Sequence, residues 1–305
     1  MKVFITGATG TVGKLVVDEL LKNGYSVVGL ARSDKSADAL KAKGVSVIRG
    51  GLQDLESLRT GAATSDAVIH LAFGHDFGVS AKSGDTEFSG MAEAIEIDRK
   101  ATEAMLSVLE GTNKAFIHVN GILYLQSSKE HPADENSPYM EVRSSPSRAP
   151  NERAALEYAK KGVRVLAVRI PLVYGKGDDH GLIAIMVGMS KKMGGAFYIG
   201  DGQNVFPTVN TEDVGPYFRL VLEKGKAGGI YNCVSETGVP LKDIAEAIGK
   251  KFGLNVISLS MEDAQKALGF GAVIAGMNCY ATTLKKKELG WEPKGKGLVE
   301  SILED

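Results

Sequence analysis

The chain is short of cysteine, of aromatic residues and of long apolar runs, and its charge leans to neither sign. Cys233 and Cys279 are the two cysteines among 305 residues, far apart and without metal-ligand spacing. That excludes a disulfide framework and a cysteine-built metal centre, and the pair reads as reduced, buried thiols of a cytoplasmic protein. Five scattered histidines add no metal-binding pattern, so no metal is expected. The balance of 36 basic against 37 acidic side chains, with no basic block, argues against a nucleic-acid partner. No apolar stretch is long enough to span a bilayer; the run from Gly269 to Met277 is far too short, and no membrane partner is expected. Met1-Lys2 leads directly into an apolar strand pattern, which leaves no room for a secretory leader. There are no repeats and no low-complexity segments. The length suffices for a large core in one large domain or two.

What the chain does have is a glycine-punctuated opening, Val3-Phe4-Ile5-Thr6-Gly7-Ala8-Thr9-Gly10-Thr11-Val12-Gly13. It reads as a short buried strand, a tight turn, and a helix beginning near Thr11. Glycines let backbone approach a ligand closely, and a helix start offers N–H groups without intrahelical partners and a partial positive charge, so a diphosphate suits this place. Gly7, Thr9, Gly10, Thr11, Val12 and Gly13 are therefore cofactor-binding candidates. The reading depends on a βαβ context. That context follows, with strand patterns at 2–6, 26–30, 45–49, 67–71, 115–119 and 163–170. Helical patterns lie between them at 12–22, 34–43, 54–61, 87–110 and 151–161. Valine- and isoleucine-rich runs alternating with helices predict an α/β fold, a doubly wound parallel sheet of Rossmann type. After Pro171 the rhythm changes to shorter elements, including an apolar helix from Leu182 and another with Pro240 in its first turn. The expected division is a dinucleotide-binding domain over 1–170 and a smaller, mixed α/β substrate domain over 171–305. Segments near 205–225 are expected to be interleaved with the first domain.

At the end of the second strand pattern an acidic residue would bind the adenosine ribose and repel an additional phosphate. The sequence there is Gly29-Leu30-Ala31-Arg32-Ser33, with no acid before Asp34. Arg32 offers a planar fork to a phosphate and Ser33 a hydroxyl, so NADP (as NADPH) is preferred over NAD. Leu52 and Gln53, after the third strand, are placed at the adenine.

The three glycines at intervals of three, with Thr6 and Thr9 beside them, resemble the extended and atypical short-chain dehydrogenase/reductases, the NAD-dependent epimerase/dehydratase family. His70-Leu71-Ala72, Arg169-Ile170-Pro171-Leu172-Val173-Tyr174-Gly175 and Val209-Asn210-Thr211-Glu212-Asp213-Val214 resemble further segments of that family in the expected order. The resemblance implies that Leu71, Ala72, Pro171 and Val173 line the cofactor. It also implies a Ser or Thr, Tyr and Lys catalytic set, in which tyrosine passes the proton and lysine lowers its pKa. The chain departs from that set at all three places. The serine position falls on Asn120, or on Ile122 with a shift of register. The Tyr-x-x-x-Lys frame falls on Ser144 and Arg148, with Glu152 matching an acid four residues further on; Tyr139 and Arg143 form a rival register. Arg148 can hold a ribose electrostatically but is a poor proton relay. Substitute proton donors are Tyr124, Tyr139, His75 and His180. Phe73, Phe77, Tyr198 and Phe206 suggest an apolar substrate pocket. The catalytic candidates are thus Asn120, Tyr124, His75 and Arg148. The expectation is an NADPH-dependent oxidoreductase acting on a small organic carbonyl with a non-standard proton donor. The alternatives are a redox-neutral isomerase, lyase or cyclase, and a non-catalytic NADP-sensing regulator. The resemblance implies that the long helix over 87–110 can form a two-helix homodimer contact, and the oligomeric state stays open.

Overall fold

The structure, a computed structural model, describes residues 1–74, 87–140, 147–176 and 181–304, with backbone alone at 87–89 and 270. Twelve strands are formed in these segments: β1 (Lys2–Thr6), β2 (Ser26–Ala31), β3 (Ser46–Arg49), β4 (Ala67–His70), β5 (Ala115–Gly121), β6 (Arg164–Ile170), β7 (Leu172–Tyr174), β8 (Gly195–Ile199), β9 (Val205–Asn210), β10 (Gly229–Asn232), β11 (Glu236–Pro240) and β12 (Asn255–Leu259). The helices that matter for the site are α1 (Thr11–Lys22), α2 (Asp34–Ala42), α3 (Leu55–Ala63), α4 (Glu87–Ser107) and α5 (Ala149–Glu157).

Two compact units divide the chain. The first comprises residues 1–120, 141–169 and 215–231. It carries a seven-stranded parallel sheet in the order β10-β6-β5-β4-β1-β2-β3, flanked by helices. β1 is an interior strand beside the central β4, and Val3, Phe4 and Ile5 are fully buried because helices cover both sheet faces. The crossovers run outward from β1 to β2 and β3, then return to place β4 on the other side of β1. The chain therefore diverges at the carboxyl ends of β1 and β4, the place where open α/β sheets leave a ligand crevice. α1 packs on this sheet through Val16, Val17 and Leu20, all fully buried.

The second unit comprises residues 121–140, 170–214 and 232–305. Its three-stranded sheet is mixed: β9 pairs in parallel with β7 and antiparallel with β11. β8 and β12 form a separate parallel pair. Tyr174, Phe197, Phe206, Leu241, Ile244 and Ile248 lie in its core.

Several sequence expectations are corrected. Residues 121–140, assigned to the first domain, belong to the second unit, and the segment that returns to the first is 215–231. The helix over 151–161 remains α-helical only to Glu157; Tyr158–Lys161 is a 3-10 turn closed by Gly162 at φ +76°. α4 ends at Ser107, short of Glu110. Pro240 precedes its helix as the capping residue rather than sitting in the first turn. Phe206 does not line a pocket; it is wholly buried in the second unit's core. Both cysteines are buried free thiols, with burial pushing the Cys279 pKa up to about 11. Among the described residues no group of His, Cys, Asp or Glu could hold a metal ion. Among them too, no helix is long and apolar enough to cross a membrane.

Candidate functional site

The glycine turn has the backbone its sequence requires. Gly7 adopts φ +70°, and a Cβ there would lie 2.8 Å from the Ala72 nitrogen, so the turn rests directly on backbone beyond β4. A Cβ on Gly13 would fall 2.0 Å from the Gly7 carbonyl oxygen. Gly10 differs: its added Cβ meets only the Gly7 oxygen at 3.4 Å and otherwise points into open space. Gly10 caps α1 with extended backbone and no side-chain cap bond, and the first turn holds no acidic residue. The neighbouring helices are closed: Ser33 Oγ accepts from the Ser36 N–H at the start of α2, and Asp54 Oδ1 accepts from the Ser57 N–H at the start of α3. The amides of Thr11, Val12 and Gly13 thus open a helix left uncapped by side chains, beside a surface that only glycine keeps clear. Those residues fit a dinucleotide pyrophosphate, through N–H donors and the helix dipole.

At the end of β2, Arg32 is exposed and has no acidic partner among the described residues, whereas Arg49 is paired with Asp34 at 2.9 Å. Arg49 also donates to the Ser33 carbonyl. The Ser33 hydroxyl is already the cap of α2. Gln53 is exposed and Leu52 half-buried, the latter packed against the core under β2 and β4.

The carboxyl ends of β4 and β5 hold a polar cluster that the sequence reading missed. Parallel pairing aligns Thr6 with His70 and His70 with His118, so three polar side chains stand in one row across β1, β4 and β5. Asp98 of α4 meets this row, fully buried. Its Oδ1 lies 3.3 Å from His70 Nε2 and accepts from Arg148 Nη2 at 3.0 Å. Its Oδ2 accepts from Asn151 Nδ2 at 2.7 Å and lies 3.8 Å from His118 Nε2. Burial alone would raise the Asp98 pKa, but the facing imidazoles of His118 and His70 and the Arg148 charge hold it well below the usual carboxylate range. Burial lowers the His70 pKa, outweighing the pull of Asp98. A faint signal was present in sequence, since histidine and aspartate inside apolar patterns are rarely buried without partners.

Arg148 caps α5, and its Nη2 also donates to the Val119 carbonyl at 2.9 Å. Its guanidinium lies over the Phe73 ring at 4.1 Å. Asn120 is buried near the end of β5, its Nδ2 within 3.4 Å of Glu152 Oε2. Glu152 in turn accepts from Arg169 Nη2 at 2.8 Å and Nε at 3.1 Å. Ile122, the alternative register, is fully buried, and its N–H donates to the Ile170 carbonyl. In the second unit Tyr124 is half-buried, Tyr139 buried, Pro171 buried and Val173 half-buried in β7. Leu71 and Ala72 are half-buried just beyond β4. His75, His180, Phe77, Arg143 and Ser144 lie outside the described residues.

The family model described as NAD dependent epimerase/dehydratase family matches residues 3–233. The chain belongs to this family. An uncharacterized protein of Saccharomyces cerevisiae is 42% identical over 316 residues, covering 99% of this chain and 98% of the relative. The Dictyostelium discoideum sterol-4-alpha-carboxylate 3-dehydrogenase, decarboxylating, is 27% identical, covering 85% of this chain and 79% of that protein. The Thermus thermophilus UDP-glucose 4-epimerase in complex with NAD superposes with a TM-score of 0.78 at 22% identity, covering 99% of this chain and 97% of that one. The last of these is a likeness of fold. Members of the epimerase/dehydratase family are NAD(P)-dependent oxidoreductases, epimerases and dehydratases, so the chain carries an oxidoreductase scaffold whose neighbours bind NAD(P).

Proposed function

We propose that this member of the epimerase/dehydratase family is an NADPH-dependent oxidoreductase acting on a small organic carbonyl, with a proton donor other than the usual tyrosine–lysine pair. The observation that carries it is the uncapped start of α1 together with Arg32, exposed and without an acidic partner among the described residues. The amides of Thr11, Val12 and Gly13 hold the pyrophosphate, and Gly10 keeps room for it. Arg32 takes the additional phosphate through its guanidinium fork, the preference over NAD resting on that charge. Leu52 and Gln53 border the adenine, while Leu71 and Ala72 line the remainder. When bound, the dinucleotide supplies a hydride. Asn120 orients the substrate oxygen through its carboxamide, and His75 delivers the proton. The name of the Dictyostelium relative, a dehydrogenase, supports redox chemistry.

One observation favours a second reading. Arg148 stands in the lysine frame yet is tied to Asp98 and Val119, and a guanidinium does not release a proton. That suits a redox-neutral isomerase, lyase or cyclase on the same scaffold. Purified protein mixed with NADPH and a panel of carbonyls tests both. Consumption of nicotinamide absorbance is the expected result, and turnover without any absorbance change supports the second reading. Binding with no turnover of any kind points to a dinucleotide-sensing regulator. Absence of binding to either dinucleotide overturns all three.

A further inference from the structure

We infer that Asp98 is a positioning residue whose buried carboxylate fixes Arg148 at the end of β5 and, through His70 and Thr6, sets the glycine turn against the end of β4. The inference rests on the dinucleotide reading above for its functional consequence, though its geometry stands independently. An isolated buried carboxylate is strongly unfavourable, so groups must converge on it. Arg148, Asn151, His70 and His118 do so, from the start of α5, β4 and β5.

The carboxylate only accepts, so the imidazole nitrogen facing it carries the proton. His70 then bears its hydrogen on Nε2, and its Nδ1 is an acceptor. Thr6 Oγ1 lies 2.6 Å from that Nδ1 and donates to it. The Thr6 oxygen is left to accept from the Ala72 N–H at 3.2 Å. The protons from Ala72 through Thr6 to His70 thus point one way, and the carboxylate 3.3 Å beyond Nε2, an ion-pair contact rather than a hydrogen bond, sets the direction. Ala72 is the residue on which Gly7 rests, its nitrogen 2.8 Å from where a Cβ on Gly7 would stand. The spacing of the pyrophosphate turn over β4 therefore depends on a carboxylate on α4, remote from any ligand contact. On its other side, Asp98 holds Arg148 in line with the Val119 carbonyl and the Phe73 ring. His70, buried and kept neutral, supports the same assignment of protons.

Asp98→Asn keeps the shape, removes the charge and introduces a donor that opposes the N–H groups around it. The expected result is a folded protein whose NADPH dissociation constant, read by calorimetry, rises about tenfold. Nitrogen NMR of the imidazoles is expected to show His70 as a single Nε2–H tautomer in the native protein and as a mixture in the variant. Thr6→Val, which leaves the ion pair intact, carries the test if Asp98→Asn does not fold. It is expected to shift the His70 Nδ1 resonance and weaken NADPH binding in the same sense. Native affinity with an unchanged His70 tautomer in a folded variant overturns the inference. Should the native protein bind neither dinucleotide, the proposed function falls, while the His70 tautomer still decides the role of Asp98.

Discussion

Gly10 and Gly13 are three residues apart, yet an added methyl group should harm the protein for different reasons. On Gly13 it would occupy the Gly7 carbonyl oxygen at 2.0 Å, so Gly13→Ala forces the turn open and lowers stability. On Gly10 it has room within the protein and projects into the space assigned to the pyrophosphate. Gly10→Ala is therefore expected to melt near the native temperature while losing about tenfold or more in NADPH affinity. Thermal melts paired with calorimetry separate the two effects. Arg32 poses a similar contrast. A hydrogen bond to a charged group contributes roughly 1.5–3 kcal/mol, so Arg32→Ala should weaken NADPH about tenfold to a hundredfold and leave NADH nearly unchanged. Equal losses for both dinucleotides would refute the assignment of Arg32 to the phosphate.

Element boundaries carry their own consequences. The Ser33 hydroxyl, expected at the additional phosphate, also caps α2 by accepting from the Ser36 amide at 3.2 Å, which leaves its own hydrogen to donate. Ser33→Ala is expected to cost about 1 kcal/mol of folding free energy in denaturant titrations. It should alter the NADPH-to-NADH preference less than Arg32→Ala does. α5 is joined to β6 by the buried Glu152–Arg169 pair, both side chains less than a tenth exposed. Removing one partner leaves an uncompensated buried charge, so Glu152→Ala should lower stability by about 3–5 kcal/mol. It would also release Asn120 from the carboxylate that contacts its amide.

For the molecule as a whole, the Asp98 cluster dictates a response to acid. The buried His70 refuses a proton that the unfolded imidazole accepts, so stability falls as pH drops below the ordinary histidine value of 6.5. Asp98, held below its ordinary value of 3.8, adds a second loss as pH falls further and the unfolded carboxylate takes up a proton. Both contributions are complete above the unfolded values and vanish on acidification. His118, Arg148 and Thr6 face the same groups and do not reverse either sign. Melting temperature against pH should therefore decline in two stages, and His70→Gln should flatten the upper one. Ligand linkage acts in the opposite sense. NADPH at a hundredfold excess over its dissociation constant should raise unfolding free energy by about 2.7 kcal/mol, and NADH at equal concentration by less.

Local order was readable along the chain because it is written in local terms. Val3, Phe4 and Ile5 form a buried interior strand by their apolar run, and the spacing of Gly7, Gly10 and Gly13 demands a backbone that passes close to itself. Alternation of strand and helix patterns then leaves few arrangements other than a doubly wound sheet. Thr6, His70, Asp98, His118 and Arg148 are separated by dozens of residues, and nothing in their own neighbourhoods announces a cluster. Sheet register brings Thr6, His70 and His118 into one row, and the packing of α4 places a carboxylate against it. Likewise the recruitment of residues 121–140 into the second unit has no local signature, because it depends on contacts with segments far along the chain. Periodicity and backbone sterics act between near neighbours, whereas charge compensation in a dry interior acts between groups that only folding brings together.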